Sequence, residues 1–312
     1  MRRQIIVMFC GFFLLAAPAA RDDPAAAQRQ AAGEEVAQPN RGALFRVEHA
    51  GHTLYLFGTI HVGAADFYPL EARVTAALRR ATTLALEIDP DADPAAAAQA
   101  LRRYGMYTAG GPAAAEIAPS FRPRLERLLK QYAIAPAAVA PMKPWLLASV
   151  LAVSEFSAQG YRPELAVDAY LARQARARGI AVLELESMAG QMALFDRMSL
   201  AEQARFLEDG ISAIEDKEQA NQARAIAQAW RGADAAAFEG LAREAAADQS
   251  FAGRFVQKVL LDERNPGLAE GIAALLARDK DSMAAIGVLH LVGARGVPAL
   301  LRERGLRVER VY

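Results

Sequence analysis

From about residue 43 onward, apolar and polar positions follow two alternating rhythms. In "ALFRVEH" (43–49) and "HTLYLFG" (52–58) apolar and polar side chains take turns, and the tight Ala50-Gly51 pair between them predicts an opening β-hairpin. "ATTLALEID" (81–89) predicts a third strand, reached through a helix over residues 70–80. "GIAVLELES" (179–187) predicts a fourth, behind a helix that Gly179 terminates. "DSMAAIGVLH" (281–290) and, after Gly305, "LRVERVY" (306–312) complete the set. Strands separated by helices imply an α/β fold: a mixed, largely parallel sheet with helices on its faces.

The rhythm between these strands is helical and long. Residues 94–178 hold "FRPRLERLLKQYAI", "KPWLLASVLAVSEF" and "ELAVDAYLARQARARG", and residues 188–278 hold several more such runs. One opens at Ser199 with Glu202 three positions on, the spacing of a capping box. Neither insertion shows an internal repeat. Both are too apolar for linkers and too broken by Pro and Gly for one coiled coil, so a helical layer against the sheet, acting as wall or lid, is expected.

The first forty residues break both rhythms. Arg2 and Arg3, then an apolar run from Ile5 to Ala16, then Ala-Pro-Ala predict a signal peptide over residues 1–20 and a periplasmic or secreted protein. The apolar run is too short to span a bilayer, so no transmembrane span is expected once the signal is removed. Residues 21–41 are Ala, Gln and charge with almost no bulky apolar side chain, which predicts a disordered leader, and one domain over 42–312. Cys10, the only cysteine, leaves with the signal, which removes disulfide, thiol-nucleophile and thiolate-metal chemistry. Lys plus Arg equals Asp plus Glu at 36 each, so no basic field recruits nucleic acid.

In an open α/β sheet, ligands gather outside the carboxyl ends of the strands. His61, Glu87, Glu186 and His290 each stand at or just past such an end. Gly58 with His61 and Gly287 with His290 share the form Gly-x-x-His, where glycine permits a bend or a close backbone approach. Singly, each has an ordinary reading: a hydrogen-bonded structural histidine, a solvated glutamate. Together, two of only four histidines and two glutamates at four strand ends point to one site. His49 and His52 flank the hairpin turn and are expected to face solvent. Arg264 and Asn265 lie between apolar helices; Arg264 could clamp a substrate carboxylate, pair with a strand-end glutamate, or make an ordinary interhelical ion pair. In "MKPW", Lys143 has no assigned task and Trp145 reads as packing, ahead of a helix that Pro144 can start.

The chain resembles the TraB/GumN family, related to the Tiki proteases and more distantly to the erythromycin-esterase-like hydrolases. The resemblance runs over residues 43–312 through "LYLFGTIHVG", "LALEID", "MKPWLLA", "VDAYLARQARARGIAVLELES" with Gln191 shortly after, "DERNP" and "AIGVLHLVGARGVPALLRERGLRVERV". The family's paired Gly-x-x-His motifs with a glutamate after the first fall here on Gly58 with His61, Glu87, and Gly287 with His290. Asp168 enters only through this resemblance. Tiki-like chemistry implies a divalent metal such as Mn or Co and cleavage of a peptide bond, while other members are linked to peptide-pheromone shutdown and to polysaccharide gene clusters.

Imidazoles and carboxylates suit Mn, Co, Zn or Fe, and His61, His290 and either glutamate could form the ligand set, leaving room for an activated water. No His-Glu-x-x-His helix accompanies them. No Gly-x-Ser-x-Gly elbow and no phosphate-cradling P-loop occur either. Three readings stay open: an exported metal-dependent hydrolase, with a peptide or other small substrate; a metal-free hydrolase in which His61 or His290 is a general base oriented by Glu87 or Glu186; and a non-catalytic protein that sequesters a peptide or similar ligand in the same cleft.

Overall fold

A computed structural model describes residues 39–89, 91–107 and 117–312 of the chain. The predicted signal peptide and residues 21–38 of the predicted leader lie outside the described residues. Arg41 is buried, and the Gly42 N–H donates to the Trp230 carbonyl at 2.6 Å.

All six predicted strands form: β1 Leu44–His49, β2 His52–Thr59, β3 Thr83–Leu86, β4 Ala181–Glu184, β5 Asp281–Gly287 and β6 Arg307–Arg310. They make one sheet in the order β4-β3-β5-β2-β1-β6. β4, β3, β5 and β2 run parallel, and only the partners of β1 are antiparallel to it. Hence the carboxyl ends of β2, β3, β4 and β5 share one edge of the sheet, and His49, which ends β1, is carried to the opposite edge. β3 and β5 are buried almost throughout, because helices cover both faces of a parallel sheet. β4 and β6, at the margins, are only half covered.

Several ends differ from the sequence expectation. β5 stops at Gly287 rather than running to 290, and His290 rides on a 3-10 turn, Val288–Leu291. An unbroken run of apolar side chains looks alike in a buried strand and in a buried turn, so periodicity could not find that boundary. His52 does not face solvent: it is half-buried, with Nδ1 at 2.8 Å from the Leu276 carbonyl. The helix Asn265–Arg278 packs beside the hairpin and supplies that carbonyl.

The helical insertions do more than cover the sheet. The sheet and the helices against it share one apolar core; a second core lies within the helical layer. There Trp145 stacks on Phe195 at 4.8 Å, and Phe195, Phe206 and Phe255 meet edge-on or tilted at 5.5 to 6.0 Å. The capping box of Ser199 and Glu202 starts the helix Leu200–Glu215, which buries Phe206, Leu207 and Ile211 in this second core. Among the described residues no helix is long and apolar enough to cross a membrane.

Candidate functional site

His61 lies two residues beyond β2, in a loop that the next segment grips. Gly63 and Arg162 exchange backbone hydrogen bonds at 2.9 and 2.8 Å, and the Val167 N–H donates to the Ile60 carbonyl at 3.1 Å. Only glycine fits at 63, since a Cβ there would stand 1.7 Å from the Leu165 carbonyl oxygen. This clasp starts the helix Val167–Arg176 beside the loop. Asp168, in its first turn, therefore meets His61, with Oδ2 at 2.7 Å from Nδ1.

Glu87 follows β3 by one residue and is fully held. One oxygen, Oε1, accepts the Gly287 N–H at 2.5 Å; the other, Oε2, accepts from Arg264 Nη2 at 2.6 Å. Arg264 also donates through Nε and Nη2 to Glu186, at 2.5 to 3.2 Å, and through Nη1 to the Leu260 carbonyl. Gln191 donates to Glu186 from the other side, at 2.7 Å. One guanidinium thus ties together the carboxylates that follow β3 and β4.

His290 is anchored at Nδ1 by Asn265 Oδ1, 2.6 Å away, while the Asn265 amide nitrogen donates to the Arg295 carbonyl at 2.8 Å. Because that amide nitrogen is committed as donor, Oδ1 must accept, so His290 carries its proton on Nδ1. Asp168 imposes the same protonation on His61 Nδ1. Both Nε2 atoms then turn towards a single atom, Glu87 Oε1, at 3.9 Å from His61 and 3.8 Å from His290.

The electrostatics separate the two rings. Burial opposes the His61 imidazolium, but the charge and hydrogen bond of Asp168, helped by Glu87, outweigh it and raise the pKa to about 9. For His290 burial dominates over the attraction of Glu87, and Arg264 and His61 add to the lowering, to about 3. Burial also disfavours the Glu87 carboxylate, yet the facing His290, Arg264, His61 and the Gly287 N–H hold its pKa well below the ordinary carboxylate range. The neutral His290 presents a lone pair to an ionised oxygen, an arrangement that calls for a proton, a water or a cation between them. Glu87 and Glu186 face the Arg264 guanidinium and Asp168 faces the His61 imidazolium, three negative charges against two positive, so the bay keeps one negative charge.

Donor types and directions suit a divalent cation, and the Nδ1 anchors are the orienting bonds that metal-ligating histidines make. The spacing is looser. Donors of one tetrahedral ion with bonds of ~2.1 Å stand roughly 3.4 Å apart, against 3.8 and 3.9 Å here. Accordingly, among the described residues no three His, Cys, Asp or Glu side chains form a ready metal cage. Binding would have to draw the imidazoles inward by about half an ångström.

Of the residues singled out from sequence, His61, Glu87, Glu186, His290, Arg264, Asn265 and Asp168 converge. Lys143 does not join them: its ammonium is taken by Asp196, in the helical layer. Trp145 is wholly buried packing. Gly58 acts by close approach, since a Cβ would press on Val288 and Leu291 at 2.9 and 3.0 Å; the first motif's glycine makes room for the second motif's turn. Gly287 keeps an ordinary φ of −51° and contributes its N–H instead of a bend. Gly63, the Gln191 contact and the Gly287 donor were not foreseen. Each left some signal: Gly63 as a second glycine two residues after His61, Gln191 and Gly287 as residues that carry the family resemblance.

The sequence model of the TraB/PrgY/gumN family matches residues 43–310. No curated protein and no solved structure matches this chain.

Proposed function

The chain belongs to the TraB/PrgY/gumN family, and on that premise we propose that it is a metal-dependent hydrolase, acting on a peptide bond, with its centre in the bay of His61, Glu87 and His290. One observation carries the reading: each imidazole spends Nδ1 on an acceptor and turns Nε2 towards the same carboxylate oxygen. When bound, a divalent cation (Mn, Co, Zn or Fe) would polarise the scissile carbonyl and lower the pKa of a water towards ~7. His61, His290 and Glu87 would hold it. Asp168 and Asn265 hold each ring by Nδ1, so Nε2 is the atom each ring would offer the cation; His61, raised to about 9, would give up its Nε2 proton on binding. Glu87 is deeply buried against the imidazoles, which suits a ligand; Glu186, its side chain 21% exposed at the mouth, is the carboxylate placed to accept a proton from water. Arg264 balances both acids. The peptide assignment draws on the resemblance to the Tiki proteases, and the N-terminal pattern adds export to the periplasm or beyond.

A second reading draws on the wide spacing of 3.8 and 3.9 Å. In it the His61–Asp168 pair alone performs acid and base catalysis, with no metal. Metal analysis of the purified protein, with peptide-library cleavage before and after chelation, separates the two. The metal reading expects about one divalent ion per chain and turnover that chelation abolishes; His61→Ala and His290→Ala lose the ion and activity while the fold persists. A metal-free wild type with full, chelator-resistant turnover overturns it in favour of the dyad. A protein that binds peptide without cleaving it under any metal supplement is a sequestering protein.

A further inference from the structure

Next to the site, sharing Asn265 with it and Leu289 with the segment that carries His290, lies a cavity of about 460 Å³ that the chemistry above does not use. Asn265 belongs to both: its side chain anchors His290 Nδ1 and also lines this cavity. The floor is aliphatic, with Leu261, Leu289 and Val292. The rim carries two acids and two cations, and the acids are the better engaged. Asp262 accepts from Gln257 at 3.0 Å, and Glu239 accepts the Gly293 N–H at 3.5 Å. Of the cations, Arg295 is mostly exposed and reaches Asp262 only at 4.0 Å, and Arg243 is exposed with no ion pair among the described residues. The four charges cancel, but the two guanidiniums stand further out in solvent than the two carboxylates, so cationic donors are what the rim presents above an apolar floor.

The geometry points to a second binding site here, for an aliphatic carboxylate of the kind a peptide presents at a hydrophobic C-terminal residue. Arginine matches a carboxylate with paired, charge-assisted donors, and the volume suits two or three residues. Its position gives it a line to the centre. The Asn265 amide holds the Arg295 carbonyl, so any shift of the segment around Arg295 as its guanidinium engages a ligand reaches the Asn265–His290 hydrogen bond. The choice of a peptide carboxylate rests on the proposed peptidase reading; the cavity and its charge do not.

The test uses acetyl-Ala-Ala-Leu with a free carboxylate and the same tripeptide as its amide, titrated by calorimetry into the purified protein. The acid is expected to bind and the amide to bind about tenfold more weakly. Arg243→Gln with Arg295→Gln, both exposed and so compatible with folding, should erase that preference. Ala246→Trp, which fills the cavity from an exposed wall position, should remove binding. The acid should also shift the His290 imidazole resonances in NMR spectra. Equal affinity for acid and amide, a preference that survives the double substitution, or no binding of either peptide overturns the proposal. His61→Ala keeps the two questions apart: it should still bind the tripeptide. If the wild type proves to have no turnover while this carboxylate preference stands, the hydrolase reading fails and the second site remains.

Discussion

The bay at the sheet edge and the aromatic core of the helical layer are both buried, yet they are held by opposite physics. In the layer Trp145, Phe195, Phe206 and Phe255 touch ring to ring, and their cohesion is apolar burial and dispersion. In the bay Glu87, Arg264 and His290 are each at most 6% exposed and held by hydrogen bonds or ion pairs, with only the two imidazole Nε2 atoms left facing Glu87 Oε1 at 3.8 and 3.9 Å. Such a network roughly breaks even against apolar packing and becomes costly when one member is removed. Apolar cohesion and the polar network are thus kept in separate regions. The helix Met188–Asp196 joins them, giving Phe195 to one and Gln191 to the other.

Truncating a layer anchor is the largest expected stability effect. Phe206→Ala should cost about 3–5 kcal/mol in denaturant unfolding. If the regions are separate, any folded fraction keeps the divalent-ion binding proposed for the bay; a proportional loss of that binding would merge them. Arg264→Ala strands Glu87 and Glu186 and should cost about 3 kcal/mol or more. An unchanged unfolding midpoint would mean the bay does not depend on its guanidinium.

A pH series sharpens the contrast, measured with chelator present. The pKa of His61 is raised to about 9 from the ordinary 6.5, so its contribution is full below about 6.5 and is lost as pH rises through 9. Glu87 runs the other way: its depressed pKa adds stability above the ordinary carboxylate range and is lost in acid. His290, lowered to about 3, also removes stability as pH falls below 6.5, because the unfolded ring takes up a proton first. Wild type should therefore lose stability on both sides. His61→Gln should flatten the alkaline limb between about 6.5 and 9 and change the acid limb less, since His61 is only one of the groups acting on Glu87 and His290; an alkaline limb that persists in that window contradicts the assignment. The smallest effect is Gln191→Ala, about 1 kcal/mol for one hydrogen bond to Glu186, read from the same unfolding curves.

Much of the bay was legible in the sequence because parallel strands end on one edge. Once "TLALE", "VLELE" and the two Gly-x-x-His runs are read as parallel strands, their last polar residues must gather there. The pairing of Arg264 with a strand-end glutamate was likewise among the readings its position allowed. Its second bond, to Glu87, was not legible, since nothing local sets how far a guanidinium reaches across 177 residues.

Local rules determined the elements: alternation made the strands, Gly179 closed a helix, and Ser199 with Glu202 opened another. These depend on residues within a turn of one another, so the chain carries them without its fold. The orientation of the imidazoles came from the tertiary structure alone. Asp168 reaches His61 across 107 residues because Gly63 lets two backbones meet, and Asn265 holds the tautomer of His290 because its amide is spent on Arg295. Which nitrogen of a ring is free depends on the partner of the other, and that partner is fixed only when distant segments pack.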